Sequence, residues 1–248
     1  MILGIIQARM GSTRLPGKAL KKINGIPLLK YQIDRVADSG LMDKLVIATT
    51  DSDKDDEIVS VCRDNGIEYF RGSENDVLAR FYECARRFKA DVIVRLTADC
   101  PLSDPAIVDD VIDLYLKSGV DYAANTIPPQ SSRYPDGTDV EVFSMNALER
   151  AYNSCDNPCD REHVTFYFWK YGNEFTTRQL DNKEDWSKFR FTVDYSEDFE
   201  VVEYILKELK RRNSFGHAAE VIEILNANDP VKMKNSKYFF GIGWGDKK

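Results

Sequence analysis

A short apolar run, Ile2 to Ile6, is followed at once by Gln7-Ala-Arg-Met-Gly-Ser-Thr-Arg-Leu-Pro-Gly-Lys18, which packs two glycines, two hydroxyls and three cations into one loop. Glycine lets the backbone bend so that successive amides face one anion, and Ser12 and Thr13 add hydroxyl donors. Arg9, Arg14 and Lys18 supply the countercharge. A polar strand-to-helix loop with incidental charges is the plainer reading. Three cations so close together in an otherwise acidic chain favour an anion site at the carboxyl end of a strand, which is where open α/β sheets bind ligands. The loop lacks the Lys-Ser/Thr ending of a P-loop and the G-x-G-x-x-G spacing of a dinucleotide fold, so neither of those phosphate readers applies.

The balance of charge supports a local anion site over a basic surface. Lysine and arginine number 34 against 41 aspartates and glutamates, a net charge of −7 over 248 residues. Such a chain suits a soluble protein and not a nucleic-acid backbone, which needs a basic stripe. No apolar run approaches the roughly 20 residues of a membrane span, and the run before the loop is too short for a signal peptide. A cytoplasmic protein with no membrane partner is expected. Five cysteines, Cys62, Cys84, Cys100, Cys155 and Cys159, do not make a disulfide framework in a chain this long. Cys155, Cys159 and His163 have zinc-like spacing, but a fourth ligand is missing, and Pro158, Asp160 and Glu162 read more simply as a helix start.

Short β-branched runs alternate with longer amphipathic stretches, the pattern of a mostly parallel sheet with helices on both faces. Strands are expected near 2–6, 44–49, 67–70 and 91–96, and helices near 27–39, 54–65, 75–89 and 105–118. After Gly119 the rhythm changes. Strands near 122–125 and 140–143 flank a proline-containing loop, helices follow near 145–153 and 160–170, and further strands near 175–180 and 189–193 precede helices near 196–211 and 217–226. The tail from Ala227 to Lys248 holds the apolar stretch Tyr238-Phe-Phe-Gly-Ile-Gly-Trp244, which must pack on its own subunit or on a partner such as a second copy in a homodimer. No internal repeat or low-complexity linker marks a domain boundary.

Read as A-R-x-x-S-T-R-L-P-G-K, residues 8–18 resemble the signature loop of the sugar cytidylyltransferases, the group with CMP-KDO and CMP-sialic acid synthetases. The match is nearest to the spore-coat polysaccharide SpsF-like branch. The resemblance continues through Ala48-Thr-Thr-Asp51, Arg71-Gly-Ser-Glu-Asn-Asp-Val-Leu-Ala-Arg80, Arg95-Leu-Thr-Ala-Asp-Cys-Pro-Leu102, Tyr134-Pro-Asp-Gly-Thr-Asp-Val-Glu-Val142, Arg161-Glu-His-Val-Thr165 and Thr192-Val-Asp194. Ordered motifs of this kind are far more specific than any one of them. The resemblance implies a Rossmann-like α/β nucleotidyltransferase fold of the glycosyltransferase-A type with a small acceptor or dimerisation subregion. Residues 1–119 would form the nucleotide part, 120–226 the acceptor part and 227–248 the tail of a single domain.

It also implies an activity, with CTP and Mg²⁺ used to attach CMP to an acidic sugar or similar small acceptor for cell-surface polysaccharide. A transferase using another nucleotide on a sugar phosphate, or a non-catalytic nucleotide-binding protein of the same fold, are the rivals. Asp99 and Asp194 each follow an expected strand and correspond to the family's metal aspartates; two carboxylates holding Mg²⁺ would neutralise the triphosphate. Either one alone could equally be a helix cap, as Asp104 and Asp198 are read to be. Ala8, Arg9, Gly11, Ser12, Arg14 and Lys18 would hold the triphosphate, with Lys18 and Arg14 drawing charge toward the leaving pyrophosphate. Ser73, Asp76 and Arg80 form either an N-cap box with surface pairing or the border of base and ribose. Thr50 and Asp51 close the same pocket, and Thr97 and Ala98 offer backbone groups to cytosine. Asp136, Asp139 and Glu141 face the acceptor's hydroxyls or water. Arg133 and Arg161 are suited to an acidic acceptor because a guanidinium pairs bidentately with carboxylate; Glu162 joins that group, and His163 is either a structural surface histidine or a group for acceptor binding or proton transfer. Ala98-Asp-Cys-Pro101 departs from the Gly-Asp-Glu-Pro of CMP-KDO synthetases, so nucleotide chemistry is better supported than any named sugar.

Overall fold

The computed structural model describes residues 1–170 and 174–242. Strand β1 (Ile2–Gln7) enters the loop; the hairpin β2 (Lys22–Ile23) and β3 (Ile26–Pro27) leads to α1 (Leu28–Val36). Then follow β4 (Lys44–Thr50), α2 (Asp56–Asp64), β5 (Glu68–Gly72), α3 (Val77–Arg87), β6 (Val92–Thr97) and α4 (Pro105–Ser118). Beyond these come β7 (Tyr122–Ala124), β8 (Glu141–Ser144), α5 (Met145–Ser154), α6 (Pro158–His163), α7 (Phe166–Trp169), β9 (Thr177–Gln179), α8 (Ser196–Arg212), α9 (Ala218–Asn226) and α10 (Asp229–Lys232). The seven-stranded sheet has the order β5-β4-β1-β6-β8-β7-β9. Strands β5, β4, β1 and β6 run parallel, while β8 is antiparallel to both β6 and β7.

The parallel half is buried on both faces, which is why its strands read as unbroken apolar runs. Alternate residues enter opposite layers. Leu3, Ile5, Val46 and Ile93 pack with Leu78 and Phe81 of α3 and with Leu148 of α5. Ile6, Ile47, Val94 and Leu96 pack instead with Leu29 and Ile33 of α1 and with Val108 and Val111 of α4. Caps fix where helices begin: the Asp76 carboxylate accepts from the Ala79 amide at 2.9 Å, so α3 starts at Val77, and Asp104 accepts from Ala106 at 3.0 Å. Both halves of the sheet direct strand ends toward one rim, which sets the place of the site.

The second half differs from expectation in two places. Phe189 to Val193 is extended but is not a sheet strand; it makes only an isolated bridge, Asp136 to Arg190. Its amides go to loop carbonyls, Phe191 to Asp136 at 2.6 Å and Val193 to Asp99 at 2.8 Å. The alternation that suggests a strand has a different cause: Phe189, Phe191 and Val193 face a third core made with Val201, Ile205 and Leu209 of α8 and with Val221 and Leu225 of α9. The helix expected near 160–170 is two short ones, broken at Val164 with φ of 59°. The Asn157 side chain caps the first through Cys159 at 2.9 Å, so the segment around Cys155 and Cys159 is a helix start. The described part of the tail packs on its own chain, Tyr238 stacking on Tyr195 with ring centroids 3.9 Å apart. Trp244 and the rest of that apolar stretch beyond 242 lie outside the described residues.

Candidate active site

The loop after β1 is held from behind by a buried carboxylate. Asp55 accepts the Met10 amide at 2.7 Å with one oxygen and the Thr50 amide at 3.2 Å with the other, which also takes the Thr50 hydroxyl. The loop then turns on itself. Gly17 donates to the Met10 carbonyl at 3.3 Å, and the Leu15 amide donates to Ser12 Oγ at 3.3 Å. The bend falls at Gly17, whose φ is 66°, and not at Gly11, so only one of the loop glycines is needed for its conformation. This arrangement sets Arg9, Ser12, Thr13, Arg14 and Lys18 along one wall of a cavity of about 750 Å³.

Across that cavity the carboxylates converge. Lys18 Nζ donates to Asp99 at 2.9 Å and to Asp194 at 2.8 Å, and Arg14 pairs with the same Asp194 oxygen at 2.7 Å. The other Asp194 oxygen faces Arg190 at 3.3 Å. Arg190 is 6% exposed and is shared with Asp136 and with Asp198, the latter at 2.9 Å. Burial alone would lower the Lys18 pKa, but the attraction of Asp99 and Asp194 outweighs it and holds the ammonium above its ordinary value. Burial likewise opposes ionisation of Asp99, yet Lys18 and the Thr97 hydroxyl bring its carboxyl well below the usual range.

Asp139 sits beside this cluster. It accepts the Thr126 hydroxyl at 2.7 Å and the Gly137 amide at 2.8 Å. Burial pushes its carboxyl up to about 6; those two hydrogen bonds pull it down, and the charges of Asp99 and Glu141 add to the rise. Gly137, at φ 101°, lies so close to the 189–193 segment that a Cβ there would fall 2.2 Å from the Thr192 nitrogen. Backbone packing of this kind, together with the Val193 to Asp99 hydrogen bond, fixes Asp136, Asp139, Asp99 and Asp194 relative to one another.

Several residues singled out from sequence lie elsewhere. Thr50 is bonded to Asp55, and Asp51 is exposed at the end of β4, so they back the loop without lining the cavity. Ser73 accepts the Asp76 amide at 3.1 Å, and Asp76 in turn holds Arg161 Nε at 2.9 Å, which is capping and pairing. Arg161 is also tied to the carbonyls of Tyr152 and Cys155, so it joins α6 to the end of α5 and to the cap of α3 and does not line the cavity. Arg133 donates to the Lys183 carbonyl at 2.8 Å, away from the cavity. Glu141 lines the cavity but is engaged by Arg95 and, at 2.6 Å, by the Tyr122 hydroxyl. Ala8, Thr97, Ala98, Arg80, Asp136, Glu162 and His163 all line it, although the Ala98 amide is already used by the Gln7 carbonyl at 3.0 Å. Arg80 is 1% exposed, with one nitrogen on the Ser73 carbonyl at 2.6 Å and Nε without a hydrogen-bond partner. Burial and the nearby Arg9 push its pKa down to about 10.

Sequence reasoning misses Asp55, Arg95 and Arg190. Arg190 does carry a signal, since a lone arginine inside an alternating apolar run has to be paired when buried. The donor set also fits a divalent cation. Asp99 and Asp194, from distant parts of the chain, close on a single positive group, the Lys18 ammonium. Among the described residues no group of three or more His, Cys, Asp or Glu is arranged to hold a metal. Two carboxylates with the remaining ligands from phosphate and water is the set Mg²⁺ ordinarily accepts.

Comparison with known proteins places this geometry. A family model described as cytidylyltransferase matches residues 3–223. The spore coat polysaccharide biosynthesis protein SpsF of Bacillus subtilis is 35% identical over 236 residues, 92% of this chain and 95% of its own. A 3-deoxy-manno-octulosonate cytidylyltransferase of Geobacter metallireducens is 36% identical over 113 residues, 45% of this chain and 43% of its own. The solved structure of a cytidylyltransferase from Leptospira borgpetersenii superposes with a TM-score of 0.86 at 32% identity, covering 93% of this chain and 96% of that one. A loop of three cations facing paired aspartates across a nucleotide-sized cavity, matched over most of its length by such relatives, makes this chain a nucleotidyltransferase that belongs to the cytidylyltransferase family.

Proposed function

We propose that the chain is a cytoplasmic enzyme that uses CTP and Mg²⁺ to place CMP on a small sugar-like acceptor, releasing pyrophosphate, in cell-surface polysaccharide synthesis. The observation that carries this reading is Lys18 held between Asp99 and Asp194 with Arg14 beside it. The name of the Bacillus relative supports the pathway. Asp99 and Asp194 would hold the cation, which when bound neutralises the phosphate oxygens and orients the α-phosphoryl group. Entry of the triphosphate offers Lys18 and Arg14 phosphate oxygens in place of carboxylates, so both stay charge-paired. The acceptor oxygen attacks the α-phosphorus in line, and the two cations stabilise charge developing on the departing pyrophosphate. Arg80, buried and only partly bonded, would meet the nucleotide. An acidic sugar is the acceptor the family resemblance implies; with Arg133 and Arg161 engaged elsewhere, Arg9 is the arginine of the wall left to receive its carboxylate, its contact with Glu162 being 4.0 Å.

Thermal stabilisation by CTP, UTP, ATP and GTP, each with and without Mg²⁺, tests the proposal. A ligand at about a hundred times its dissociation constant adds roughly 2.7 kcal/mol, which moves the midpoint by several degrees in a chain this size. CTP should give the largest shift, and Asp99→Ala should abolish its Mg²⁺-dependent part. A preference for another nucleotide overturns the base assignment, and no shift with any of them overturns the enzyme mechanism.

A further inference from the structure

The family model ends at residue 223, yet the segment after it reaches the charged cluster at two points. Asn235 is 4% exposed and donates from Nδ2 to the Arg190 carbonyl at 3.1 Å and to Asp198 at 3.0 Å. Asp198 is fully buried and is the hub of the cluster's rear: it accepts Arg190 Nε at 2.9 Å and the amides of Asp194 and Tyr195, each at 3.0 Å. Three residues on, Tyr238 lies flat on Tyr195, with centroids 3.9 Å apart and planes 5° apart. The Arg14 guanidinium sits over that Tyr195 ring at 5.4 Å while it pairs with Asp194. The Arg190 guanidinium in turn lies 5.8 Å from the centre of the Tyr238 ring. Phe240 and Ile242 continue the segment along the cavity wall.

From these contacts we infer that Asn235 and Tyr238 are positioning residues of the phosphate site. Asn235 locks Asp198 and with it the backbone and side chain of Asp194. Tyr238 backs the Tyr195 ring that supports Arg14. Neither touches a reacting atom; both act through Asp194 and Arg14. A stacked ring fixes its partner's plane, and a guanidinium over that plane gains a cation–π attraction that a mobile ring would not supply. The inference rests on the reading of this loop as the triphosphate site.

Binding of inorganic tripolyphosphate to the full chain, followed by calorimetry at fixed ionic strength together with the melting temperature, separates the two. Wild type should bind and Lys18→Ala should not. Tyr238→Ala and Asn235→Ala should each weaken binding by about five- to tenfold, the size of one lost cation–π or hydrogen-bond contact. Tyr238→Phe, which keeps the stacked ring and removes only the hydroxyl, should stay within about twofold of wild type. If Tyr238→Ala does not fold, Tyr238→Leu, which keeps apolar cover without the flat ring, decides in its place. Unchanged affinity in the Tyr238 and Asn235 variants overturns the inference while leaving the phosphate site intact. An equal loss in Tyr238→Phe and Tyr238→Ala overturns it too, since the ring would then not be the operative part. Failure of wild type to bind overturns the phosphate-site reading, and the inference falls with it.

Discussion

The two walls of the cavity are built in opposite ways. The cationic wall comes from one continuous stretch, Arg9 to Lys18, braced by a single buried carboxylate, Asp55. The acidic wall is assembled from three separate segments that carry Asp99, then Asp136 and Asp139, then Asp194, joined by Arg190 and by loop-to-loop amide hydrogen bonds. The contrast teaches where function and stability coincide. A cation on a local loop can be removed with little effect on the fold. A member of the acidic wall's buried support cannot, because the charges left behind are shielded from water.

Asp198→Ala tests the strong side of this contrast and should have the largest effect. Asp198 has no exposure and two nitrogens of Arg190 on it, so its loss leaves the Arg190 Nε and the amides of Asp194 and Tyr195 without an acceptor, although Asp136 and Asp194 still pair the guanidinium. Each buried donor left without its acceptor costs about 1–3 kcal/mol, and urea unfolding would read the combined loss directly. A loss below about 1 kcal/mol would mean the acidic wall is held by backbone contacts alone. Lys18→Ala tests the other side. The turnover rate, followed by pyrophosphate release, should fall about 10²- to 10³-fold, as for removal of one preorganised charge-stabilising donor. The melting temperature should change less than in Asp198→Ala, because Asp194 keeps Arg14 and Arg190, and Asp99, the carboxylate left without its cation, has a side chain about a quarter exposed to water. A large loss of stability in Lys18→Ala would erase the distinction between the walls.

The same contrast explains what is legible in the sequence. The loop is readable because its chemistry is contiguous: glycine, hydroxyls and cations follow directly on a strand. The parallel strands are readable because burial on both faces writes unbroken apolar runs, as in Ile2 to Ile6. Asp99 and Asp194 do lie together, as their motifs suggest, though Asp194 follows an extended segment and not a sheet strand. Arg133 and Arg161 cannot be placed from sequence, because an arginine's partner is chosen by tertiary structure: Asp76, 85 positions away, claims Arg161. Asp55 is hidden for the same reason, since nothing local says that a helix-start aspartate turns back to hold Met10.

Asp139→Asn sharpens the acidic side with a smaller effect. Its carboxyl is raised from the ordinary 3.8 to about 6. A raised carboxyl binds its proton more tightly in the folded than in the unfolded chain, so its stabilising contribution is full below the unfolded value and is lost as pH rises through about 6. Well above that pH the wild type carries a buried, crowded charge that asparagine does not. The carboxamide introduced at this position can accept from the Gly137 amide and donate to the Thr126 hydroxyl, so the bonding is preserved. The ligand-free variant should therefore melt a few degrees higher than wild type at about pH 8, with the gap closing toward about pH 4. A gap that stays constant with pH would show that Asp139 titrates normally.

Arg133→Ala should do least, and its small effect is informative. The sequence offers Arg133 as a grip for an acidic acceptor, but its guanidinium rests on the Lys183 carbonyl outside the cavity. An arginine near the surface on one carbonyl contributes within about 0.5 kcal/mol to stability, as surface substitutions generally do. With no wall contact to lose, KM for the acceptor and the turnover rate should both stay within about twofold of wild type. Arg9→Ala is the matched comparison, since Arg9 lines the cavity and its ion pair with Glu162 is long, at 4.0 Å. If KM for the acceptor rises in Arg133→Ala and not in Arg9→Ala, the segment that carries Arg133 must close over the cavity when the acceptor binds, and the acceptor's charge is read by the acidic wall's side of the molecule and not by the loop.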